Sequence, residues 1–280
     1  MTHHRVVIVS VEVPKPQPTS AGERLIKELY DALEGMGKNP IVLAPKPAHG
    51  QESAYRAQHH WVDIAPRTRY LQKARSRFGT WTPNLEFLHS LKADSYAMKL
   101  LQEAETIDLQ WSSNLLLAPF IRHLNPAATL VGTFHDISPQ RFMRRARLEH
   151  NRLKAAVWGA HARLSACLEY AAVGALDHIV VLSDKDGSLL ELRSSDADKV
   201  EVIRPPAYLR SQPIARSPQP AQLLFVGTMY RWENHEAVQW FIAEILPKIW
   251  LKHPEVTLKV VGESPSADIV ALGSDERITF

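Results

Sequence analysis

Residues 222–262 limit what this chain can fold into more than any other stretch. Gln222-Leu223-Leu224-Phe225-Val226 is a short apolar run closed by Gly227. Val238, Phe241, Ile242, Ile245 and Ile249 then recur at helical spacing, and a strand-like run over 256–261 ends at Gly262. Strand, glycine turn, helix, strand and glycine make one βαβ unit. Parallel neighbours need such a crossover. A glycine just past a strand end lets backbone approach a ligand at the carboxyl edge of the sheet, where open α/β sheets bind.

The same alternation runs through the rest of the chain. Residues 5–10 form a β-branched run with the look of a buried parallel strand. A proline-rich turn at 14–18 follows, and Thr19-Ser20-Ala21-Gly22 leads into a helix whose Leu25, Ile26, Leu29 and Leu33 share one stripe before Gly35 and Gly37 end it. Residues 41–44 are the next strand, and 61–64 allow a short one. Residues 85–107 read as a helix, 108–111 as a strand, 113–124 as a helix and 128–134 as a clear strand. Residues 139–175 read as helix in two segments broken near Gly159. Residues 177–182 are strand, Ser183 is a helix N-cap, and 200–203 close the sheet. Proline and small polar residues at 204–220 read as a linker. The expectation is an α/β chain with Rossmann-like parallel-sheet domains at 1–204 and 221–280, joined by 205–220.

Length and composition agree: 280 residues can bury two cores. The single cysteine, Cys167, cannot form an intrachain disulfide, which fits a reducing compartment, and its neighbours Leu164, Leu168 and Ala171 suggest a core position. No apolar run reaches transmembrane length and the N-terminus lacks a signal-peptide pattern, so a cytosolic chain is expected. A net charge of +3 does not by itself imply nucleic acid.

Three places can carry chemistry. Gly22 opens a helix, where free N–H groups and the helix dipole favour a phosphate, or it serves a tight turn that needs a small residue. His135 and Asp136 follow directly on a parallel strand, at the edge where such sheets place ligand chemistry, or cap and support the next helix. Arg67, Arg69, Lys73, Arg75 and Arg77 interleave with Tyr70, Phe78 and Trp81, which can grip nucleic acid, an anionic headgroup or a sugar, or form a solvated loop. A second basic run, Arg141, Arg144, Arg145, Arg147, Arg152 and Lys154 against Glu149, suits an anionic membrane or a solvated face. No metal-site spacing, Walker A or triad order stands out. His3-His4 and His59-His60 are adjacent pairs, and His235-Glu236 lacks a second histidine.

The stretch LLFVGTMYRWENHEAVQWFIAEILP, followed by LKVVGESP, resembles the opening of the C-terminal domain of glycosyltransferase family 4, the retaining enzymes of the GT-B fold. TLVGTFHDI at 129–137 and IVVLSDKDGSLL at 179–190 resemble N-domain segments of the same family, and TSAGER at 19–24 resembles its glycine motif with Ala21 in the first glycine's place. The resemblance implies two Rossmann-like domains, a UDP- or GDP-sugar donor, no metal or other cofactor, and a glycan, lipid-linked or other glycoconjugate acceptor, with no nucleic acid. Peripheral contact with the inner face of an anionic membrane fits the same picture. It implies that His135 faces the transferred sugar or its departing phosphate, with Asp136 orienting the imidazole or capping the next helix. Gly22, Gly227, Thr228, Arg231 and Gly262 are its implied donor-side residues, and Arg24, Arg67 and Arg69 its acceptor-side residues. Thr228 and Glu233 stand where the family commonly has a diphosphate-binding arginine and lysine, leaving Arg231 as the nearest replacement. Family members continue beyond the equivalent of Phe280 to a paired-glutamate motif, so the resemblance implies a second domain cut short. An epimerase on the same fold, or a non-catalytic docking module, are the alternatives.

Overall fold

The computed structural model describes residues 6–18, 20–47, 57–64, 85–190, 194–205, 221–229, 231–262 and 265–280. The basic stretch with Arg67 and Arg69, and most of the expected linker, lie outside the described residues. The chain divides into two compact units, Met1–Ala207 and Tyr208–Phe280.

The first unit is a parallel sheet of seven strands: β1 (Val6–Val9), β2 (Ile41–Pro45), β3 (His59–Val62), β4 (Thr106–Gln110), β5 (Thr129–Phe134), β6 (His178–Val181) and β7 (Val200–Val202), in the order β3-β2-β1-β4-β5-β6-β7. Every adjacent pair is parallel. The order reverses between β1 and β4, which makes their carboxyl ends the switch point of the sheet. Strand alternation sorts the core. Val7 and Val9 face a large cluster with Phe87, Leu109, Leu115, Ile121 and Leu176, while Ile8 faces the opposite side with Val42 and Tyr30.

Helix α1 (Ala21–Gly35) is N-capped by Ser20, whose hydroxyl accepts from the Glu23 N–H. Between β3 and β4 the expected single helix is two, α2 (Leu85–Ala93) and α3 (Ser95–Glu103). Asp94 divides them because its carboxylate accepts from the Tyr96 and Ala97 amides. Ile107 belongs to β4 instead. After β4 come α4 (Ser112–Leu115) and α5 (Ala118–Leu124), the latter with Pro119 in its first turn.

The helical stretch before β6 breaks at 149–151, not at Gly159, which lies inside a helix. Asn151 accepts from the Leu153 and Lys154 amides, so α6 (Ser138–Leu148) ends and α7 (Arg152–Ala175) begins there. Cys167 is exposed on α7 and is not part of the core. Helix α8 (Asp184–Leu189) starts at the Ser183 cap as expected. No helix among the described residues is long and apolar enough to cross a membrane.

Gly132, in the middle of β5, is set by packing. A Cβ there would meet Leu115 Cδ2 at 2.4 Å and Leu176 Cδ1 at 2.6 Å. Both leucines are buried in the main cluster. Gly132→Ala should therefore cost about 1–3 kcal/mol of stability, read from the urea midpoint, through overpacking of β5 against Leu115 of α4 and Leu176 just past α7. An unchanged midpoint would mean that the leucines move aside without cost.

The second unit holds β8 (Gln222–Val226), β9 (Thr257–Val261) and β10 (Ile278–Thr279), parallel in the order β10-β9-β8. Its crossover is α9 (Trp232–Trp240), a π-helical turn (Phe241–Ile245) and α10 (Leu246–Trp250). Pro247 has no N–H to continue the ladder, and the Leu246 N–H bonds the Phe241 carbonyl as the chain widens to pass it. Val238, Leu246, Leu258 and Val260 form the core. A short helix, α11 (Ala267–Ala271), precedes β10.

Candidate functional site

At the switch point the side chain of Asn114 is fully buried and bonds the Gln110 carbonyl at 2.9 Å and the Val9 carbonyl at 3.4 Å. It ties the carboxyl ends of β4 and β1 together. Trp111, between Gln110 and α4, is held by this clamp at φ 71°, and its own carbonyl accepts from the Asn114 and Leu115 amides. A positive φ on so large a residue costs about 1–3 kcal/mol and persists only when its surroundings impose it.

The indole so placed meets two of the sequence-predicted residues. It stacks on the imidazole of His135, with centroids 4.6 Å apart and planes inclined by 12°. It also covers the start of α1, where a Cβ on Gly22 would lie 2.7 Å from Trp111 Cζ2. Gly22 is therefore the only residue type that leaves the indole its place. His135 and Gly22 belong to one site, and Trp111, read from sequence only as the end of a strand, joins them.

His135 also bonds Gln110, Nε2 to Oε1, at 3.1 Å. The Gln110 amide nitrogen donates to Asp108 Oδ1 at 2.6 Å and to Thr133 Oγ1 at 2.9 Å. That leaves Oε1 to accept the His135 Nε2–H and leaves Nδ1 as the ring's bare acceptor. Burial pushes the imidazole down to about 4, against a smaller opposing pull from Asp136, so it is neutral at pH 7. Burial raises Asp108 to about 7, with the Gln110 hydrogen bond opposing.

Asp136 takes a different part from the one expected. Its carboxylate lies 2.9 Å from Ser112 Oγ and 3.3 Å from Arg141, and the N-cap position of α6 is Ile137, with no side-chain cap. Gln110 and Trp111 orient the imidazole instead. Trp111, Asp136, Arg141, Phe142 and Glu169 line a cavity of about 200 Å³. Buried Glu169 accepts from the Ser138 N–H at 3.1 Å, and burial raises its carboxyl to about 8 despite the Ser138 bonds.

The start of α1 carries a second carboxyl pair. Glu12 lies 3.6 Å from where a Gly22 Cβ would sit, and Glu23 is buried in the first turn, paired with Lys15. Burial, then the neighbouring Glu23, raises Glu12 to about 7. An anion at this helix start meets a neutral Glu12 below that pH and a charged one above it. Arg24 is exposed on the next position of the helix.

In the second unit Gly227, Thr228, Arg231 and Gly262 gather at the carboxyl ends of β8 and β9. The Gly227 N–H donates to Val261 O at 2.9 Å, and the Cβ position of Gly262 is filled by the Gly227 carbonyl at 1.8 Å. Asn234 Nδ2 bonds Thr228 O at 3.0 Å and would lie 2.9 Å from a Cβ on Gly227. Both glycines are thus demanded by the chain's own packing. Arg231 is exposed just before α9, 4.0 Å from Glu233. His235, singled out only for lacking a second histidine, pairs with Asp268 at 3.0 Å.

Two parallel-sheet units of this kind define the GT-B fold, and solved structures agree on it. The chain is similar to sucrose-phosphate synthase from Thermosynechococcus elongatus, with 14% identity and a TM-score of 0.67 over 99% of this chain and 70% of that one. It is similar to the lipopolysaccharide outer core galactosyltransferase WaaB in its apo form, with 14% identity and a TM-score of 0.53 over 99% of this chain and 67% of that one. It is also similar to HepE from Anabaena in complex with UDP-glucose, with 15% identity and a TM-score of 0.54 over 99% of this chain and 68% of that one. No protein-family model and no curated protein matches the sequence.

Proposed function

We propose that this chain is a retaining glycosyltransferase, of the family-4 kind that its sequence resembles, moving a sugar from a UDP- or GDP-sugar to a glycan, lipid-linked or other glycoconjugate acceptor. The observation that carries the reading is the neutral His135 at the switch point, stacked on Trp111 beside the start of α1. A neutral imidazole with a bare Nδ1 accepts a hydrogen bond from a sugar hydroxyl without adding charge to the site. In the reaction the bond from the anomeric carbon to the nucleotide phosphate breaks and one to the acceptor oxygen forms on the same face. The acceptor's proton passes to the leaving phosphate, so no protein nucleophile and no metal are required. Positioning and electrostatic stabilisation supply the rate.

The α1 start at Gly22 is the first unit's anion-favouring helix end in this reading, with Arg24 beside it on the acceptor side. Gly227, Thr228, Arg231 and Gly262 are the second unit's donor-side residues, with Arg231 the cation for the diphosphate. Arg67 and Arg69 remain the proposed acceptor-side cations. The HepE structure with UDP-glucose supports a nucleotide-sugar donor.

Thermal denaturation against UDP, GDP, ADP and their sugar forms tests the reading. A nucleotide present at about a hundredfold over its Kd should add about 2.7 kcal/mol of stability. The expected result is a shift with one uridine or guanosine compound and none with ADP. No shift with any of them would overturn the assignment to this chain.

A further inference from the structure

The cavity lined by Trp111 and Glu169 opens between α4, the loop after β5, α6 and α7. Its volume of about 200 Å³ exceeds the roughly 150 Å³ that holds one benzene ring, so it admits a single six-membered ring with its substituents. Ser165, only 3% exposed, and half-buried Ser113 both line it, and neither hydroxyl has a hydrogen-bond partner among the described residues. A buried hydroxyl in that state faces a water or a ligand group. Ser112 differs from them, because its hydroxyl is engaged by Asp136.

The charges around the cavity cancel. Asp136 and Arg141 pair at 3.3 Å, and Glu169, raised by burial to about 8, keeps its proton at pH 7. A protonated carboxyl donates as well as accepts, as a hydroxyl does. An anion would find the lining cation, Arg141, already engaged by Asp136. A metal ion would meet a guanidinium and a carboxyl that holds its proton. A purely apolar guest would leave the Ser165 and Ser113 hydroxyls unpaired. Trp111, Leu116 and Phe142 supply apolar wall beside these polar groups. Such a lining, with donors, acceptors and no net charge, suits a ring with C–H groups on its faces and hydroxyls at its edge.

We propose that this cavity is a subsite for one uncharged, polyhydroxylated six-membered ring, a hexopyranose or a cyclitol, whose hydroxyls bond Ser165 and Ser113. The sugar-transfer reading enters only where this ring is taken as the acceptor's own. The acceptor then carries no charge on the ring that the first unit holds.

Saturation-transfer nuclear magnetic resonance of the full chain, without nucleotide, tests it against methyl glycosides of the common hexoses, myo-inositol, and the phosphates of both ring types. Binding is expected from at least one neutral ring, with its phosphate no tighter. Ser165→Ala, which removes the hydroxyl and adds no bulk, should weaken that binding about three- to tenfold, the worth of one hydrogen bond. Ser113→Leu fills the cavity from the α4 side and should abolish it. Circular dichroism confirms that each variant folds, and Ser165→Ala alone decides the matter if Ser113→Leu does not. Binding of no neutral ring overturns the proposal, as does preference for the phosphates or binding that Ser165→Ala leaves intact. Thermal shifts with UDP and GDP keep the two readings apart. A nucleotide shift without ring binding overturns the subsite and leaves the transferase standing. Ring binding without a nucleotide shift supports the subsite and removes the transferase.

Discussion

His135→Ala is expected to lower kcat/KM for sugar transfer by about 10²–10³-fold while leaving the thermal midpoint of the unliganded protein within a few degrees of wild type. The magnitude is that of removing one oriented hydrogen-bonding group from a site where charge develops. The pH profile distinguishes this histidine from an ordinary surface one. With the imidazole pushed down to about 4, it stays neutral across the pH range in which enzymes are assayed, so kcat/KM should show no acidic limb near 6.5 from this group. Nuclear magnetic resonance of the ring nitrogens should show the Nε2–H tautomer donating to Gln110. Gln110→Glu places a carboxylate against that N–H and should raise the imidazole well above its wild-type value, bringing an acidic limb into view. Retained activity in His135→Ala would sink the role given to the ring, and a wild-type titration near 6.5 would sink the account of its burial.

Asp108→Asn should make the protein more stable at pH 8 than the wild type by on the order of 4 kcal/mol, and leave it nearly unchanged at pH 4. Burial raises the folded-state value of Asp108 from 3.8 to about 7, so the native chain keeps a proton that the unfolded chain releases. The stability tied to that proton is fully present below about 4 and is lost as pH rises through 7. Asparagine cannot ionise and can still accept the amide hydrogen of Gln110 through its carbonyl oxygen. Glu12 and Glu169 shift in the same direction, to about 7 and about 8, but remain in both proteins, so the difference between the two urea curves isolates Asp108. A difference that does not grow between pH 4 and pH 8 would show that Asp108 is ionised in the folded state.

The alternation of apolar strands and striped helices was legible because each parallel strand here is a compact run bounded by turns. The run at 129–134 and the helix at 21–35 need no tertiary knowledge to be found. Breaks inside long helical stretches were less legible. Asp94 and Asn151 divide helices by bonding amides two and three residues ahead, whereas Gly159, the residue that looks like a breaker, lies inside α7. Cys167 was misplaced because its apolar neighbours suggested a core, when their common line faces outward.

Of the residues that Trp111 brings together, His135 and Gly22 stand out in the sequence because they follow a strand and open a helix. Trp111, which connects them, could not, because an aromatic residue after a strand is ordinary and its backbone angle is invisible in sequence. One signal was present. Asp108 and Gln110 are polar residues two apart, on one face of a strand that should be apolar on both. The buried network that fixes the imidazole is built on that face. The roles of Gly227 and Gly262 were hidden for the opposite reason. The open space that a terminal glycine suggests is filled by a neighbouring carbonyl and by Asn234.

The indole of Trp111 touches two things at once, the first turn of α1 and one face of His135. Any side chain larger than a hydrogen at position 22 must push the indole aside, and with it the cover on one face of the imidazole. A change made on the first turn of α1 is therefore felt at the end of β5, across more than a hundred residues of sequence.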